Sequence, residues 1–187
     1  MSAPEPGTIL EALGRLAPML EEWPGTAAVI GGVGIVARVR PRFTTDIDLV
    51  IEVEPDRVSD LLSLAQRHGW QHDPDETAEL VQGGLARLWG PPSRTAGVGL
   101  DLMFVDSAFL ESVVARATSV AVGDVTLPVA TVEDLLVMKL EAHRPLDIDD
   151  VLAIKDVFAG RLDMAYVRGH TDRLGVSDRL DLYFGQV

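Results

Sequence analysis

The stretch of sequence that decides the fold runs from Ala27 to Glu52 and reads AAVIGGVGIVARVRPRFTTDIDLVIE. Each end of it is a short apolar run rich in β-branched residues and bounded by glycine or charge, which is typical of a buried strand. The residues after Gly31 and Gly32 predict a short helical turn, which ends before Pro41 because the residue preceding a proline avoids helical geometry. The stretch therefore predicts a strand, a brief helical connection and a second strand.

Two acidic residues, Asp46 and Asp48, open the second of these strands. Successive side chains on a strand point to opposite faces, so the two carboxylates point to one side and Ile47 and Leu49 to the other. Two carboxylates side by side repel each other and lose hydration unless a cation lies between them. The acidic pair therefore indicates a divalent metal ion on this face of the strand.

The glycines at the end of the first strand, Gly31 and Gly32, fit the same kind of site. Because they lack β-carbons, an anion such as a triphosphate can approach their backbone N–H groups closely. We therefore expect the phosphates of a nucleotide to bind at the glycine pair.

A known signature combines these two features. The signature of the DNA polymerase β-type nucleotidyltransferase superfamily resembles the pattern of this chain: the run IGG from Ile30 to Gly32, thirteen further residues, and the run DIDL from Asp46 to Leu49. The run RFTTDID, which begins at Arg42, is similar to the pattern Arg-x-Thr-x-Asp-hydrophobic-Asp of the abortive-infection (AbiE-type) toxin members. The resemblance implies an α+β fold, with a nucleotidyltransferase-like mixed β-sheet flanked by helices and a helical bundle at the carboxyl terminus.

A third acidic residue, Asp101, lies in the middle of an apolar run that predicts a strand, an expensive place for an unpaired carboxylate. By resemblance to the superfamily, Asp46, Asp48 and Asp101 hold two divalent ions, Mg²⁺ or Mn²⁺, that bridge the nucleotide phosphates and the attacking hydroxyl. The resemblance also implies that Asp101 helps to deprotonate that hydroxyl. A lone aspartate at any of these positions would instead be interpreted as a turn residue, a strand-edge charge or a salt-bridge partner.

Two residues just before the acidic pair are candidates for supporting roles. The hydroxyl of Thr44, two residues before Asp46, could hydrogen-bond and orient a carboxylate. The guanidinium of Arg42 offers planar donors to a nucleotide phosphate. Ordinary loop polarity explains both residues equally well, and the two interpretations stay open.

A predicted helix over residues 132–142 carries Lys139, one of the two lysines in the chain. A cation in a largely apolar helix is costly unless it meets an anion such as a triphosphate, although its charged end can also extend to solvent. This helix resembles a helix of the family that carries a phosphate-contacting lysine. In the family an Asp-x-x-Asp motif follows that helix, and Asp147 and Asp150 match it in this chain. The resemblance implies that Lys139 and Asp147 take part in nucleotide binding. Leu146 replaces the lysine that often precedes this motif, and both aspartates could equally cap the next helix.

Composition limits the classes of protein to be considered. The 187 residues carry a formal net charge of −13, which weakens any prediction of broad nucleic-acid binding, because that needs a basic surface. The hydrophobic fraction of 47% is ample for a packed core, and the absence of cysteine excludes disulfides. The sequence shows no signal-peptide pattern and no apolar stretch long enough for a membrane span, so we expect a cytoplasmic protein without a membrane partner.

Periodicity and turn signals predict the other elements. We expect residues 70–79 to be a loop, because they are polar and irregular. The change from mixed to all-helical structure predicts a nucleotidyltransferase core over residues 1–130 and a helical subdomain over residues 131–187. The predicted helices cover residues 8–22, 55–68, 107–117, 132–142, 148–158 and 164–174, and the predicted strands cover 27–31, 46–53, 85–89, 98–105 and a hairpin at 120–127.

The sequence as a whole predicts a metal-dependent nucleotidyltransferase that moves a nucleoside monophosphate from an NTP to a hydroxyl acceptor. The resemblance to abortive-infection members implies the toxin of a toxin–antitoxin pair, with transfer-RNA (tRNA) ends as one acceptor and an antitoxin protein as a partner. The net charge of −13 argues mildly against RNA and keeps a small-molecule acceptor open.

Two other interpretations stay open. The run GVGIVA from Gly32 to Ala37 also matches the dinucleotide-binding fingerprint Gly-x-Gly-x-x-Ala. It has less support, because Pro41 leaves only about two helical turns where that fold needs a full crossover helix. The other interpretation is a non-catalytic nucleotidyltransferase-like binding module. Loss of one of the three aspartates would favour it, and all three are present.

Overall fold

The computed structural model describes residues 8–91 and 97–185. Within these ranges a six-stranded sheet packs against helices on both of its faces. The strands are β1 Ala27–Ile30, β2 Asp46–Ile51, β3 Leu85–Trp89, β4 Gly99–Phe104, β5 Thr118–Val122 and β6 Val125–Val129. The helices are α1 Ile9–Glu22, α2 Gly31–Arg38, α3 Val58–Arg67, α4 Pro74–Gln82, α5 Ala108–Arg116, α6 Val132–Ala142, α7 Pro145–Phe158, α8 Met164–Leu174 and α9 Ser177–Phe184, with a 3₁₀ helix, Pro55–Arg57, before α3.

The sheet is mixed, and the predicted fold class is confirmed. Its order is β3-β4-β2-β1-β6-β5; β2 pairs with β4 and β1 with β6 in parallel, and the other neighbours are antiparallel. β1 and β2 are antiparallel neighbours, with Val29 opposite Leu49. The dinucleotide-binding interpretation is therefore wrong, because that fold joins parallel strands through a crossover helix, which the eight residues of α2 do not provide.

Successive side chains along each strand point to opposite faces of the sheet, and the two faces pack against different helices. Ile47 and Leu49 of β2 enter one hydrophobic cluster, together with side chains of α1 and α3. Val50 of the same strand enters a second cluster, which contains side chains of α5 to α9. Asp46 and Asp48 share the face of Val50, so the acidic pair lies on the side of the sheet that the carboxyl-terminal helices cover.

Helices α6 to α9 form the predicted bundle at the carboxyl terminus. They share a core with the sheet, since the fully buried side chains of Leu136, Val151 and Leu180 belong to one cluster with Ala28 and Val50. Burying each large aliphatic side chain stabilises the fold by roughly 2 kcal/mol. The division of the chain at residue 130 stays a prediction. None of the helices in residues 8–91 and 97–185 is both long and apolar enough to cross a membrane.

One prediction about an element is wrong, and one helix was not predicted. Residues 70–79 were expected to be a loop, but α4 begins at Pro74. Asp73 caps this helix by accepting hydrogen bonds from the backbone N–H groups of Asp75 and Glu76, and proline is tolerated in a first turn. Periodicity did not reveal α4, because its start depends on capping residues and not on an apolar stripe. Helix α9 likewise has no counterpart in the prediction.

Candidate active site

The three strand aspartates lie on one face of the sheet. β2 and β4 are parallel neighbours whose register puts Asp48 opposite Asp101 and Asp46 opposite Gly99. Residues opposite each other in neighbouring strands project to the same face, and so do residues two apart on one strand. Two strands that are far apart in sequence therefore bring three carboxylates to one side of the sheet.

Asp48 lies directly against the glycine pair. Gly31 has a φ of +57°, a left-handed conformation that suits glycine, and a β-carbon there would collide with the Asp48 carboxylate. The backbone N–H of Gly32 faces the same carboxylate and lowers its pKa. Burial raises the pKa of Asp48, and the negative charges of Asp101 and Asp46 also raise it. The site therefore holds a half-buried carboxylate whose negative charge is only partly compensated.

The second glycine makes room for the loop that precedes β2. A β-carbon at Gly32 would collide with the Thr44 hydroxyl and the Arg42 guanidinium, so only glycine allows this close approach. The Thr44 hydroxyl donates to the backbone carbonyl of Asp46 at 3.1 Å. The hydroxyl that donates to the Asp46 carboxylate, at 2.9 Å, is that of Thr45, which no sequence pattern had indicated. Thr44 therefore fixes the backbone of the acidic pair, and Thr45 orients its first carboxylate.

The partner of Asp101 is Arg87, which lies opposite it on the antiparallel neighbour β3. Nε and Nη2 of Arg87 donate to the two carboxylate oxygens at 2.6 and 2.5 Å, and these bonds raise the pKa of the guanidinium. Only the strand register pairs the two residues, so sequence reasoning missed Arg87. Because both Asp101 oxygens bind Arg87, that carboxylate is not free for a metal ion as it stands. Among the described residues, no group of three Asp, Glu, His or Cys side chains is gathered to hold one.

The residues on this face nevertheless fit a divalent cation. Their donors are carboxylate oxygens, which Mg²⁺ and Mn²⁺ prefer. Burial is the main cause of the raised pKa of Asp48, and the negative charges of Asp101 and Asp46 add to it more than the positive charge of Lys139 offsets. Asp46 and Asp48 would hold the cation, with Asp101 as a third ligand once Arg87 releases it.

Cations surround two buried aspartates where α6, α7 and the loop before β2 meet. Lys139 Nζ lies 2.7 Å from Asp147 Oδ1 and 3.3 Å from Asp150 Oδ2. Asp150 also forms ion pairs with Arg40 and Arg42, each at 3.8 Å, and neither of its oxygens has a hydrogen-bond partner. We call the following residues the cationic cluster: Arg40, Arg42, Lys139 and Arg144, with the enclosed Asp147 and Asp150.

The cationic cluster carries more positive than negative charge. Its four cations against two carboxylates leave a formal surplus of two positive charges, in a chain whose net charge is −13. Burial alone would raise the pKa of Asp147, but hydrogen bonds from Arg144 and Lys139 outweigh it and lower the pKa to about 2. The Asp147 carboxylate is 1% exposed and is occupied by these two partners. The surplus charge therefore remains for an anionic ligand.

The predicted site residues line one cleft, whose volume is about 1140 Å³. This volume exceeds that of most pockets for a single small ligand and leaves room for a nucleotide and a second substrate. Asp150 is not part of the lining, whereas Leu85, Met103, Phe109 and Met138 give another part of the cleft an apolar wall. The nine predicted residues in the lining are Gly31, Gly32, Arg42, Thr44, Asp46, Asp48, Asp101, Lys139 and Asp147.

Comparisons with known proteins agree with this architecture. Residues 9–179 match the family described as a nucleotidyl transferase of unknown function (DUF2204). No curated protein matches the sequence. Among solved structures, an antigenic nucleotidyltransferase-like protein from Paracoccidioides brasiliensis is 18% identical, over 98% of this chain and 100% of its own, with a TM-score of 0.50.

Two further solved structures are similar in fold. ANT(2")-Ia, in complex with adenylyl-2"-tobramycin, is 13% identical over 90% of this chain and 98% of its own, with a TM-score of 0.58. The lincomycin-bound lincosamide antibiotic adenylyltransferase LnuA is 15% identical over 82% of this chain and 99% of its own, with a TM-score of 0.54. At such identities the likeness concerns the fold alone. The family match, which spans most of the chain, goes further: the chain belongs to the nucleotidyl transferase family DUF2204.

Proposed function

We propose that this protein transfers a nucleoside monophosphate from an NTP to a hydroxyl group of a small molecule, with a divalent metal ion, Mg²⁺ or Mn²⁺, as cofactor. The observation that carries the proposal is the single cleft in which Asp46, Asp48 and Asp101 meet the glycine pair and the cationic cluster. Metal-binding carboxylates, a phosphate cradle and cationic donors are the parts that this class of transfer requires.

The triphosphate would bind between the glycine pair and the cationic cluster. Backbone N–H groups at the start of α2 attract anions, and the Asp48 carboxylate lies against Gly31 beside them, where a metal ion would join it to the phosphates. Lys139 adds a cation whose position is fixed by its two aspartate partners. Arg42 and Arg144 add guanidinium groups on the same lining, which suit the planar recognition of phosphate oxygens.

The proposed reaction forms one bond and breaks one at the α-phosphorus. The acceptor oxygen forms a bond to the α-phosphorus. At the same time the bond between the α-phosphorus and the oxygen that bridges it to the β-phosphorus breaks, and pyrophosphate leaves with that bond's electron pair. The hydroxyl proton passes to the carboxylate of Asp101 after Arg87 releases an oxygen of the pair that it binds at 2.5 and 2.6 Å. A bound divalent ion supplies charge neutralisation on the phosphates and a lower pKa for the acceptor hydroxyl.

The lining of the cleft beyond Asp101 favours a small-molecule acceptor over RNA. Leu85 and Met103 lie opposite each other on β3 and β4, two residues beyond the Arg87–Asp101 pair, and both line the cleft. Acidic residues, Asp106 and Glu141, also line it. An apolar surface with acidic neighbours suits an acceptor with an apolar body, whereas RNA phosphates need cations.

Two of the similar structures contain small molecules that bear on this choice. ANT(2")-Ia was solved with adenylyl-2"-tobramycin and LnuA with lincomycin. Because the likeness of these proteins to the chain concerns the fold, it does not decide the acceptor class, which depends on the lining of the cleft. The abortive-infection toxin role, a transfer-RNA acceptor, an antitoxin partner and a cytoplasmic location stay predictions from the sequence.

The test is transfer of label from each of the four α-³²P-labelled NTPs, with Mg²⁺ or Mn²⁺ and a cell extract as the source of acceptors. After separation of small molecules, RNA and protein, we expect label in the small-molecule fraction and an equal amount of released pyrophosphate. The double variant Asp46→Asn/Asp48→Asn is the control and should give none. Label in RNA would reject the small-molecule acceptor, and no label in any fraction would favour the non-catalytic binding module.

A further inference from the structure

Two large hydrophobic side chains are exposed at the cleft. Six such side chains are exposed among the described residues, and of these Phe43 and Leu146 line the cleft. Phe43 is 86% exposed and Leu146 is 55% exposed. A single exposed apolar side chain is ordinary on a protein surface, but two in the wall of one cavity indicate an apolar contact with a ligand.

The backbone on both sides of Phe43 is anchored. Arg42, on one side, forms an ion pair with the buried Asp150 at 3.8 Å and lies against Gly32. Thr44, on the other side, donates to the first backbone carbonyl of β2 at 3.1 Å. The backbone that carries the exposed ring therefore lies in a short segment whose two neighbouring residues are held against Asp150, Gly32 and β2.

Leu146 is anchored to the same cluster from a different element. It lies in the first turn of α7, which Arg144 caps with hydrogen bonds from its backbone and its side chain. Asp150, one turn further along α7, is the partner of Arg42. The ion pairs of Arg40 and Arg42 with Asp150 thus join the segment that carries Phe43 to the helix that carries Leu146.

We propose that Phe43 and Leu146 form a clamp for the nucleobase of the NTP. The clamp rests on the proposed function, which puts the triphosphate at the glycine pair and the cationic cluster. Phe43 and Leu146 follow two arginines of that cluster, Arg42 and Arg144, along the chain and line the same cleft. An aromatic ring and an aliphatic side chain contact the faces of a base and not its hydrogen-bonding edges. The clamp therefore binds purines in preference to pyrimidines, since a purine has the larger face, and accepts both ATP and GTP.

The test separates the base from the phosphates by calorimetric titration with two probes, magnesium-ATP and magnesium-tripolyphosphate. Phe43→Ala should weaken ATP binding by about tenfold, the loss of one stack on an aromatic ring, and leave tripolyphosphate binding unchanged. Leu146→Ala should act in the same direction by about threefold, and Phe43→Tyr, which keeps the ring, should bind ATP like the wild type. The matched control is Leu182→Ala in α9. The Leu182 side chain is 68% exposed, between Leu146 and Phe43 in exposure, and does not line the cleft.

Three outcomes would overturn the clamp. If Phe43→Ala binds ATP as tightly as the wild type, or loses affinity for ATP and tripolyphosphate equally, then Phe43 does not contact the base. If the wild type binds tripolyphosphate as tightly as ATP, the base contributes nothing and the phosphate site stands alone. If the wild type binds neither probe, the proposed function itself fails, which distinguishes that failure from the failure of the clamp.

Discussion

Two pairs of aspartates in this molecule are similar in sequence and different in surroundings. Asp46 and Asp48, which we call the strand pair, are two residues apart on β2. Asp147 and Asp150, which we call the helix pair, are three residues apart on α7. Cations enclose the helix pair, and both of its members are buried. The strand pair has a third carboxylate, Asp101, as its neighbour across the sheet, and Arg87 binds that carboxylate and neither member of the pair.

The difference distinguishes a pair that stabilises the fold from a pair arranged for a ligand. Despite burial, hydrogen bonds from Arg144 and Lys139 lower the pKa of Asp147 to about 2. For Asp48, burial and the neighbouring carboxylates raise the pKa. A raised carboxylate pKa inside a cleft, next to other carboxylates, is a mark of a functional site, because the protein leaves the compensating charge to be supplied from outside.

The largest effect should come from the double variant Asp46→Asn/Asp48→Asn. Transfer should fall at least thousandfold, about 4 kcal/mol of transition-state stabilisation, because the metal ion loses two carboxylate ligands. The free energy of unfolding in urea should stay constant or rise, since a repulsive pair is removed. A double variant that keeps full transfer, or that unfolds more easily, would contradict the role assigned to the strand pair.

The helix pair should behave in the opposite way. Asp150→Asn should lower the free energy of unfolding by about 3 kcal/mol, because it leaves Lys139 and Arg42 with less negative charge in a buried place. Urea denaturation measures this loss, and Asp149→Asn, an exposed neighbour on the same helix, is the control that should change little. Equal stability of the two variants would mean that the buried cluster does not stabilise the fold.

Acid should act on Asp147 and Asp48 with opposite signs. The folded pKa of Asp147, about 2, lies below its unfolded value of about 3.9, so its stabilisation is complete above that value and is lost as the pH falls toward 2. For Asp48 the folded pKa is raised, so its ionisation lowers stability as the pH rises from the unfolded pKa to the folded one.

The helix pair can be isolated in this measurement by a single variant. The difference in unfolding free energy between the wild type and Asp147→Asn should be about 2 kcal/mol at pH 5 and should close between pH 4 and 2. Urea denaturation at a series of pH values checks it. A difference that does not change with pH would show that Asp147 contributes no charge-dependent stability.

The smallest effect is expected from Arg87→Ala, which releases Asp101 toward the strand pair. The Arg87–Asp101 pair is partly exposed and contributes about 1 kcal/mol, so its loss should tighten Mn²⁺ binding about fivefold in a calorimetric titration. Arg57→Ala is the control, because Arg57 pairs with Asp60 at the surface and does not line the cleft. Weaker Mn²⁺ binding by Arg87→Ala would contradict the competition between Arg87 and the ion.

The two pairs also differ in how far the sequence could predict them. The strand pair and the glycine pair belong to one local stretch, so spacing and alternation predicted both strands, their short helix and the shared side of Asp46 and Asp48. The partner of Asp101 could not be predicted in this way, because Arg87 meets it only through the register of β3 and β4. Local spacing contains no information about which strands become neighbours.

The surroundings of the helix pair were predicted only in part. Lys139 and Asp147 were expected at the nucleotide, whereas the structure shows them bound to each other at 2.7 Å. Arg40 and Arg42 reach Asp150 from a loop more than a hundred residues earlier, and no sequence periodicity connects the two segments. The helix α4 was missed for a different reason. Its start is marked by the capping residue Asp73 and by Pro74, and not by the apolar stripe that usually indicates a helix.

We expect a divalent cation to bind at the strand pair. The most direct test compares the free energy of unfolding with and without Mg²⁺. Raising Mg²⁺ to tenfold above its dissociation constant should stabilise the wild type by about 1.4 kcal/mol over the same protein in EDTA, because the ion binds the folded state. The double variant Asp46→Asn/Asp48→Asn should show no such gain. Equal stabilisation of both proteins, or none of the wild type at any Mg²⁺ concentration, would contradict a metal site at Asp46 and Asp48.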